Sequence, residues 1–329
     1  MKKIILINFF TVLLIIFFLE IIIRLSNIIT LQGYDKNAFY FENDIIFSRP
    51  NNSFKVFGVN SRTDSNGFRI PLNNLSYDED ESFTLILGDS VTFGVGVEEK
   101  DTFIGILRDS PKNKNLFNSA IFGHNIESFL YILKKNHKKF KKKINRVVIF
   151  LCLNDVVPYQ GTILENNSKG KENNFKKNMF KNIITLKLNM FLRERSALYV
   201  FLKGMITDPI KRHYDYMEAL YSNDKNLLEF EKNIIKLTDF MKKNKLSYEY
   251  ILLPYSHQIR NNCKKELLKP QEMIVSIFKN QNLNLRDYTH DFCKVYNKND
   301  LFLKYDPVHL SKYGHKYVSD LLILDKIFN

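Results

Sequence analysis

Tryptophan is absent from this 329-residue chain, and cysteine occurs only at 152, 263 and 293. The three cysteines form no C-x-x-C pair, and no His/Cys group has zinc-site spacing, which sets aside thiol-redox and zinc-ribbon chemistry. The clustered Asp and His ligands that a metal-dependent phosphoesterase needs are missing as well. No metal and no organic cofactor is therefore expected. Lys, Asn and Ile are abundant, a drift typical of an AT-rich genome that carries no functional information. Cys152 falls in an apolar stretch and reads as a small buried hydrophobe. Cys263 and Cys293 can pair outside the cell, but nothing in the sequence requires it. The 45% apolar content argues for a folded core. The net charge of +14 suits anionic surfaces such as lipid headgroups or wall polymers, and equally nucleic acid.

The amino terminus decides between those partners. Lys2 and Lys3 precede Ile4 to Ile23, a run interrupted only by Asn8, Thr11 and Glu20. That is close to the ~20 residues a bilayer-spanning helix needs. Glu20 lies near the outer end, where it can reach the interface, and Arg24 follows. The basic start predicts a cytoplasmic amino terminus and an extracytoplasmic remainder. A cleaved signal peptide is the alternative, but no small-x-small site follows the run. An exported domain makes nucleic acid an unexpected partner.

The expected organisation is a transmembrane anchor over 1–25, a connecting region over 26–82, and a main domain over 83–329. Asn66-Gly67 is a tight-turn signal and predicts a small hairpin packed on the main domain. Arg69 reads as a structural ion pair rather than a substrate ligand, and residues 77–82 as an acidic linker. Candidate strands are Phe83–Leu87, Leu116–Ala120, Val147–Leu151 and Tyr248–Leu253, with a weaker one near Leu283–Arg286. Helices are expected near Thr102–Asp109, Ile126–Lys143, Leu227–Lys243 and from Tyr313. Alternation of this kind predicts a parallel sheet covered on both faces. The basic run from Lys134 to Lys143 reads as a solvated helix face. Residues 156–226 exceed an ordinary connection and predict a helical insertion. Residues 165–178 read as a polar loop, and the insertion either as a lid or substrate-selecting cap over the site or as a decorative helical hairpin.

One short stretch organises the chemistry. The apolar run Phe83–Leu87 stops at Gly88-Asp89-Ser90, which would expose a serine hydroxyl at the carboxyl end of a strand, where ligands of parallel sheets bind. A serine needs a base, and the base needs orienting. Asp306-Pro307-Val308-His309 supplies both within one turn of chain. Ser90, Asp306 and His309 can thus take the roles of a triad. The serine turn is not the G-x-S-x-G elbow. Asn118-Ser119-Ala120-Ile121-Phe122-Gly123 and Leu153-Asn154-Asp155 end two other strands, and a glycine N–H and an asparagine amide are suitable oxyanion donors. His124 and His315 have no partner recognisable in sequence.

These blocks, Gly-Asp-Ser, Gly, Asn-Asp and Asp-x-x-His in that order, resemble the SGNH (GDSL-type) hydrolase family. Thr63-Asp64-Ser65-Asn66-Gly67-Phe68-Arg69 resembles its membrane-anchored bacterial members. The resemblance implies a flavodoxin-like three-layer α/β/α fold with a parallel sheet. It implies Ser90 as nucleophile, His309 as base and Asp306 as its orienter. The oxyanion hole would be the backbone N–H groups of Ser90 and Gly123 with the Asn154 side chain. Cys152 and Ala120 stand where the family often has glycine, departures that bear on substrate shape rather than chemistry. The implied activity is a serine esterase removing an acyl group, acetyl foremost, from a cell-envelope glycan or lipid. An O-acyltransferase on an envelope polysaccharide and a non-catalytic glycan-binding scaffold are the alternatives. Oligomeric state is not legible.

Overall fold

A computed structural model of the chain describes residues 2–72, 82–110, 113, 115–140, 143–156 and 187–328. Most of the expected acidic linker and the polar loop over 165–178 lie outside the described residues.

The first helix, α1 (Lys2–Leu25), has no buried residue and is half-covered only at Glu20, Ile21 and Ile23, and an 18-residue window of it has a mean hydropathy of 2.8. It is long and apolar enough to cross a membrane. Two antiparallel hairpins follow. Strands β1 (Phe39–Glu42) and β2 (Ile45–Ser48) form a small sheet of their own. Strands β3 (Ser53–Val56) and β4 (Val59–Thr63) pair across the Phe57-Gly58 turn. The Asn-Gly turn then leads from β4 to β5 (Arg69–Ile70). Asp64 Oδ1 accepts from the backbone N–H of Asn66 and of Phe68, both at 2.8 Å, and Gly67 takes φ of +82°, a conformation that glycine adopts without strain.

The expected small hairpin is thus part of a larger arrangement. β5 pairs antiparallel with β7 (Leu116–Asn118), so β3, β4 and β5 extend the main sheet rather than packing on it as a separate unit. That sheet has eight strands, in the order β10-β9-β8-β6-β7-β5-β4-β3. Its parallel part is β6 (Phe83–Leu87), β7, β8 (Ile144–Leu151), β9 (Ser247–Leu252) and β10 (Arg286–Asp287). β6 and the second half of β8 are almost wholly apolar and buried, as strands covered on both faces must be.

Helices α2 (Ser90–Phe93), α3 (Phe103–Arg108) and α4 (Ile126–Phe140) lie between β6 and β8. After β8 come α5 (187–195), α6 (Ala197–Thr207), α7 (Pro209–Tyr221) and α8 (Asp224–Lys243). Then follow α9 (Ser256–Arg260), α10 (Lys269–Asn280), α11 (Thr289–Lys294) and α12 (Lys312–Leu324). The sheet carries helices on both sides, with α3 packed on α12 and α4 on α8. The buried positions of α8, Phe230, Ile234, Leu237 and Met241, recur at helical spacing and turn one stripe to the core. Cys263 and Cys293 are joined by a disulfide, while Cys152 is buried and free.

Arg69 forms no ion pair among the described residues. It is fully buried, and its guanidinium donates to the carbonyls of Phe93, Gly94 (2.7 Å) and Val97 (2.6 Å). The Phe93 and Gly94 carbonyls are ones that a helix as short as α2 leaves without intrahelical partners, and Val97 lies in the turn that follows. The pKa of Arg69 is pushed down to about 10 by burial, against the opposing charge of Glu99. Glu99 instead pairs with Arg108, and both side chains are buried.

Strand order marks where a ligand crevice is expected. The chain runs from β6 to β7 on one side and returns to β8 on the other, so connections diverge at the β6–β8 pair. The carboxyl ends of strands at such a switch point border the crevice where α/β proteins bind ligands.

Candidate active site

The serine turn follows from the close fit at Gly88. A Cβ there would stand 2.2 Å from Thr92 Oγ1, so only glycine lets the chain leave β6 and enter α2 at once. Asp89 caps that helix, with Oδ1 accepting from the Val91 N–H at 2.9 Å. Ser90 is the first helical residue and stays half-buried at the end of β6.

The end of β8 supplies the facing wall. Asp155 is fully buried and folds back to accept from the Cys152 N–H at 2.7 Å, closing the short helical turn Leu153–Val156. Burial, reinforced by the charge of Asp89, pushes its carboxyl well above the ordinary value. Asn154 points its Nδ2 at Asp89 Oδ2, 2.8 Å away. Its Oδ1 accepts from the Tyr255 hydroxyl at 2.5 Å. A carboxylate on one side and a phenol on the other fix which way the amide faces. One N–H of Nδ2 is taken by Asp89, and the amide carries a second.

Asp306 and His309 lie on the loop between Phe302 and Leu310, which pair as an isolated bridge across it. Asp306 Oδ1 accepts from the N–H groups of Val308 (2.9 Å) and His309 (2.8 Å). Its Oδ2 lies 2.8 Å from His309 Nδ1. Burial would raise the pKa of Asp306, but the imidazole and these donors hold it below the usual carboxylate value. Burial would likewise lower that of His309. The charge of Asp306 and its hydrogen bond, with a smaller contribution from Asp89, more than offset this and hold it above the ordinary histidine value. His309 Nε2 is buried without a hydrogen-bond partner among the described residues, so it does not bond the Ser90 hydroxyl in this structure.

The structure therefore joins Asp306 to His309 directly, and Asn154 to the carboxylate beside Ser90. Gly123 sits in the loop after β7 with φ of +80°. It is held between Phe122, whose ring packs edge-on against Phe39 at 4.4 Å, and the buried His124. The His124 ring bonds the Ile46 carbonyl at 2.8 Å and interacts with the backbone of Gly88, which keeps this loop against the serine turn. Burial pushes its pKa down to about 4. His315 is fully buried and accepts from the Phe103 N–H at 3.3 Å; burial and nearby positive charge push its pKa down to about 3. Both rings hold elements together, and neither hydrogen-bonds the Asp306–His309 pair.

Three contributors escape a reading of the sequence. Phe57, at the β3–β4 turn, lays its ring edge-on to His309 at 5.3 Å. Tyr255 orients Asn154 from beyond the end of β9. His213 on α7 packs 5.6 Å from the Tyr255 ring and feels the charges of Asp306 and His309. None of the three carries a chemical signal in the sequence. No group of His, Cys, Asp and Glu side chains able to hold a metal occurs among the described residues.

No family model and no curated protein matches the sequence. Solved structures do. A psychrotrophic esterase from Pseudoalteromonas sp., inhibited by monoethylphosphonate, is 14% identical with a TM-score of 0.42, over 76% of this chain and 100% of that one. An acetyl xylan esterase is 18% identical with a TM-score of 0.41, over 74% and 99%. A member of the lipolytic G-D-S-L family from Veillonella parvula is 14% identical with a TM-score of 0.38, over 74% and 96%.

Proposed function

We propose that the protein is a membrane-anchored serine esterase that removes an acyl group, acetyl foremost, from an ester of a cell-envelope glycan or lipid. One observation carries the reading. A buried carboxylate holds His309 through Nδ1 and leaves Nε2 without a partner among the described residues, and the imidazole feels the charge of Asp89 at the serine turn, where β6 and β8 end side by side. An imidazole so held is a base waiting for a proton.

In the proposed cycle, Ser90 Oγ attacks the ester carbonyl and His309 Nε2 takes its proton. Asp306 stabilises the imidazolium that results, which is the state the raised pKa of His309 favours. The oxyanion is held by the Ser90 and Gly123 N–H groups and the second N–H of Asn154. His309 returns its proton to the leaving alcohol, giving an acyl-Ser90 ester. Water, deprotonated by His309, then cleaves that ester and restores the serine. Loss of one oxyanion donor costs about 3–4 kcal/mol of barrier. The apolar α1 and the Cys263–Cys293 disulfide support an extracytoplasmic domain, because disulfides persist outside the reducing cytosol.

The test is covalent labelling of the full chain in neutral detergent with a fluorophosphonate. Label on wild type at Ser90, and none on Ser90→Ala or His309→Ala, is the expected result. A folded wild type that takes no label would refute the esterase reading.

A further inference from the structure

Helices α5, α6 and α7 line a cavity of about 360 Å³ against the loop that carries Asp306 and His309. Tyr305 and Pro307, the neighbours of Asp306, form part of its wall. Arg193 on α5, Lys203 on α6 and Arg212 on α7 form another.

None of these cations has a carboxylate partner among the described residues, and no described Asp or Glu lines the cavity. Arg193 bonds Gln32 Oε1 through Nε (2.6 Å) and through Nη2. Lys203 Nζ bonds Asn189 Oδ1. Both acceptors are neutral. Burial holds Lys203 below the usual lysine value, and Arg193 and Arg212 push it further the same way. Burial lowers Arg193 as well, with Asp306 opposing, and Asp306 is already committed to His309. Like charges gathered at a partly buried hollow raise the energy of the empty protein, and an entering anion removes that cost.

We infer that this cavity is the subsite for an anionic group, a phosphate or carboxylate, carried by the acyl ester whose carbonyl meets Ser90. The inference rests on the esterase reading and names the charge of its substrate. Arginine supplies the planar fork that matches such groups, and lysine a point charge beside it. The same helices expose Phe191, Leu202, Met205 and Ile206 on their outer side, next to the apolar α1. An amphiphile lying at a lipid surface can meet both features at once.

The experiment uses the full chain in neutral micelles and a matched pair of substrates, acetylglycerol and acetylglycerol phosphate. Wild type should prefer the phosphate ester by at least about tenfold in kcat/KM. Arg212→Gln and Lys203→Gln should each reduce that preference about tenfold, the effect of losing one charged contact. Lys279→Gln, exposed on α10 away from the cavity, should keep it. Equal use of the two esters by wild type, or a preference untouched in the double variant, would overturn the subsite while leaving the esterase standing.

Calorimetric titration with inorganic phosphate reads the cavity without turnover. Binding weakened at least tenfold in the double variant supports the inference; absence of binding, or equal binding to both proteins, refutes it. Should neither ester turn over and Ser90 stay unlabelled, the esterase reading falls and this titration still decides the cavity. Presenting the phosphate ester as a phospholipid in vesicles distinguishes sources. Faster turnover on vesicles identifies a lipid headgroup, and faster turnover of the soluble ester a free or polymer-borne phosphate.

Discussion

Tyr255 is expected to act on catalysis through Asn154 alone, and Tyr255→Phe isolates that role. The substitution keeps the ring, which is fully buried, and removes one hydroxyl. Asn154 Oδ1 then loses its 2.5 Å donor, while Nδ2 keeps Asp89. A neutral hydrogen bond contributes about 0.5–1.5 kcal/mol, and a less firmly held amide should weaken the oxyanion hole by a comparable amount. A decrease of about 3- to 10-fold in kcat follows, with KM little changed. Asn154→Ala removes the donor outright and should cost about 10²- to 10³-fold. The decisive measurement is the double variant, assayed on an activated acetyl ester. If Tyr255 only orients Asn154, Tyr255→Phe has no further effect once Asn154 is alanine. Full additivity would refute the argument, as would a single-variant loss as large as that of Asn154→Ala.

Two other outcomes follow from the charges. Below the raised pKa of His309 the base is protonated, so kcat/KM should fall with decreasing pH on a limb centred above 6.5. The same shift stabilises the fold at low pH, fully below the unfolded-state value near 6.5, and is lost as pH rises through the folded value. Activity should therefore rise while the His309 contribution to Tm falls, and Asp306→Asn should diminish both trends; parallel pH series of kcat/KM and Tm measure this. Arg69→Met should destabilise the protein by about 2–4 kcal/mol, because buried carbonyls of residues 93–97 lose their donor. Urea midpoints measure that loss, and a change below about 0.5 kcal/mol would contradict the role assigned to Arg69.

How far the sequence could be read depended on the range of the contacts. Asp306 and His309 meet because three positions of chain bring them together, so their pairing could be anticipated without a fold. That β10, β9, β8, β6 and β7 run parallel follows from alternating apolar runs and helical stripes, which are local patterns, whereas their order across the sheet is set by packing. The antiparallel extension was missed because β5 contributes only Arg69 and Ile70, too short a segment for any periodicity to register. Arg69 was misread for a related reason. A charge in a sequence suggests an opposite charge, whereas backbone carbonyls as acceptors depend on how α2 ends. Tyr255 and Phe57 join the site across long separations, and their residue types alone suggest ordinary core. The cationic cavity needed three separate helices to be packed before it existed.

The carboxylate of Glu20 has a consequence for where the protein can work. It accepts from the N–H groups of Ala197 and Leu198, both at 2.9 Å, and from the Ser196 hydroxyl at 2.8 Å, while Arg24 bonds the Arg195 carbonyl. The last turns of α1 are thereby riveted to the start of α6, whose Val200, Lys203 and Gly204 face the cavity. A helix is about 10 Å across. With α1 in a bilayer, the mouth of the site would ride about one helix diameter from the lipid boundary, like a plough set to a fixed depth. Cutting α1 away would leave the Ser196 cap of α6 but remove the carboxylate on the Ala197 and Leu198 N–H groups, and change the depth at which the blade runs.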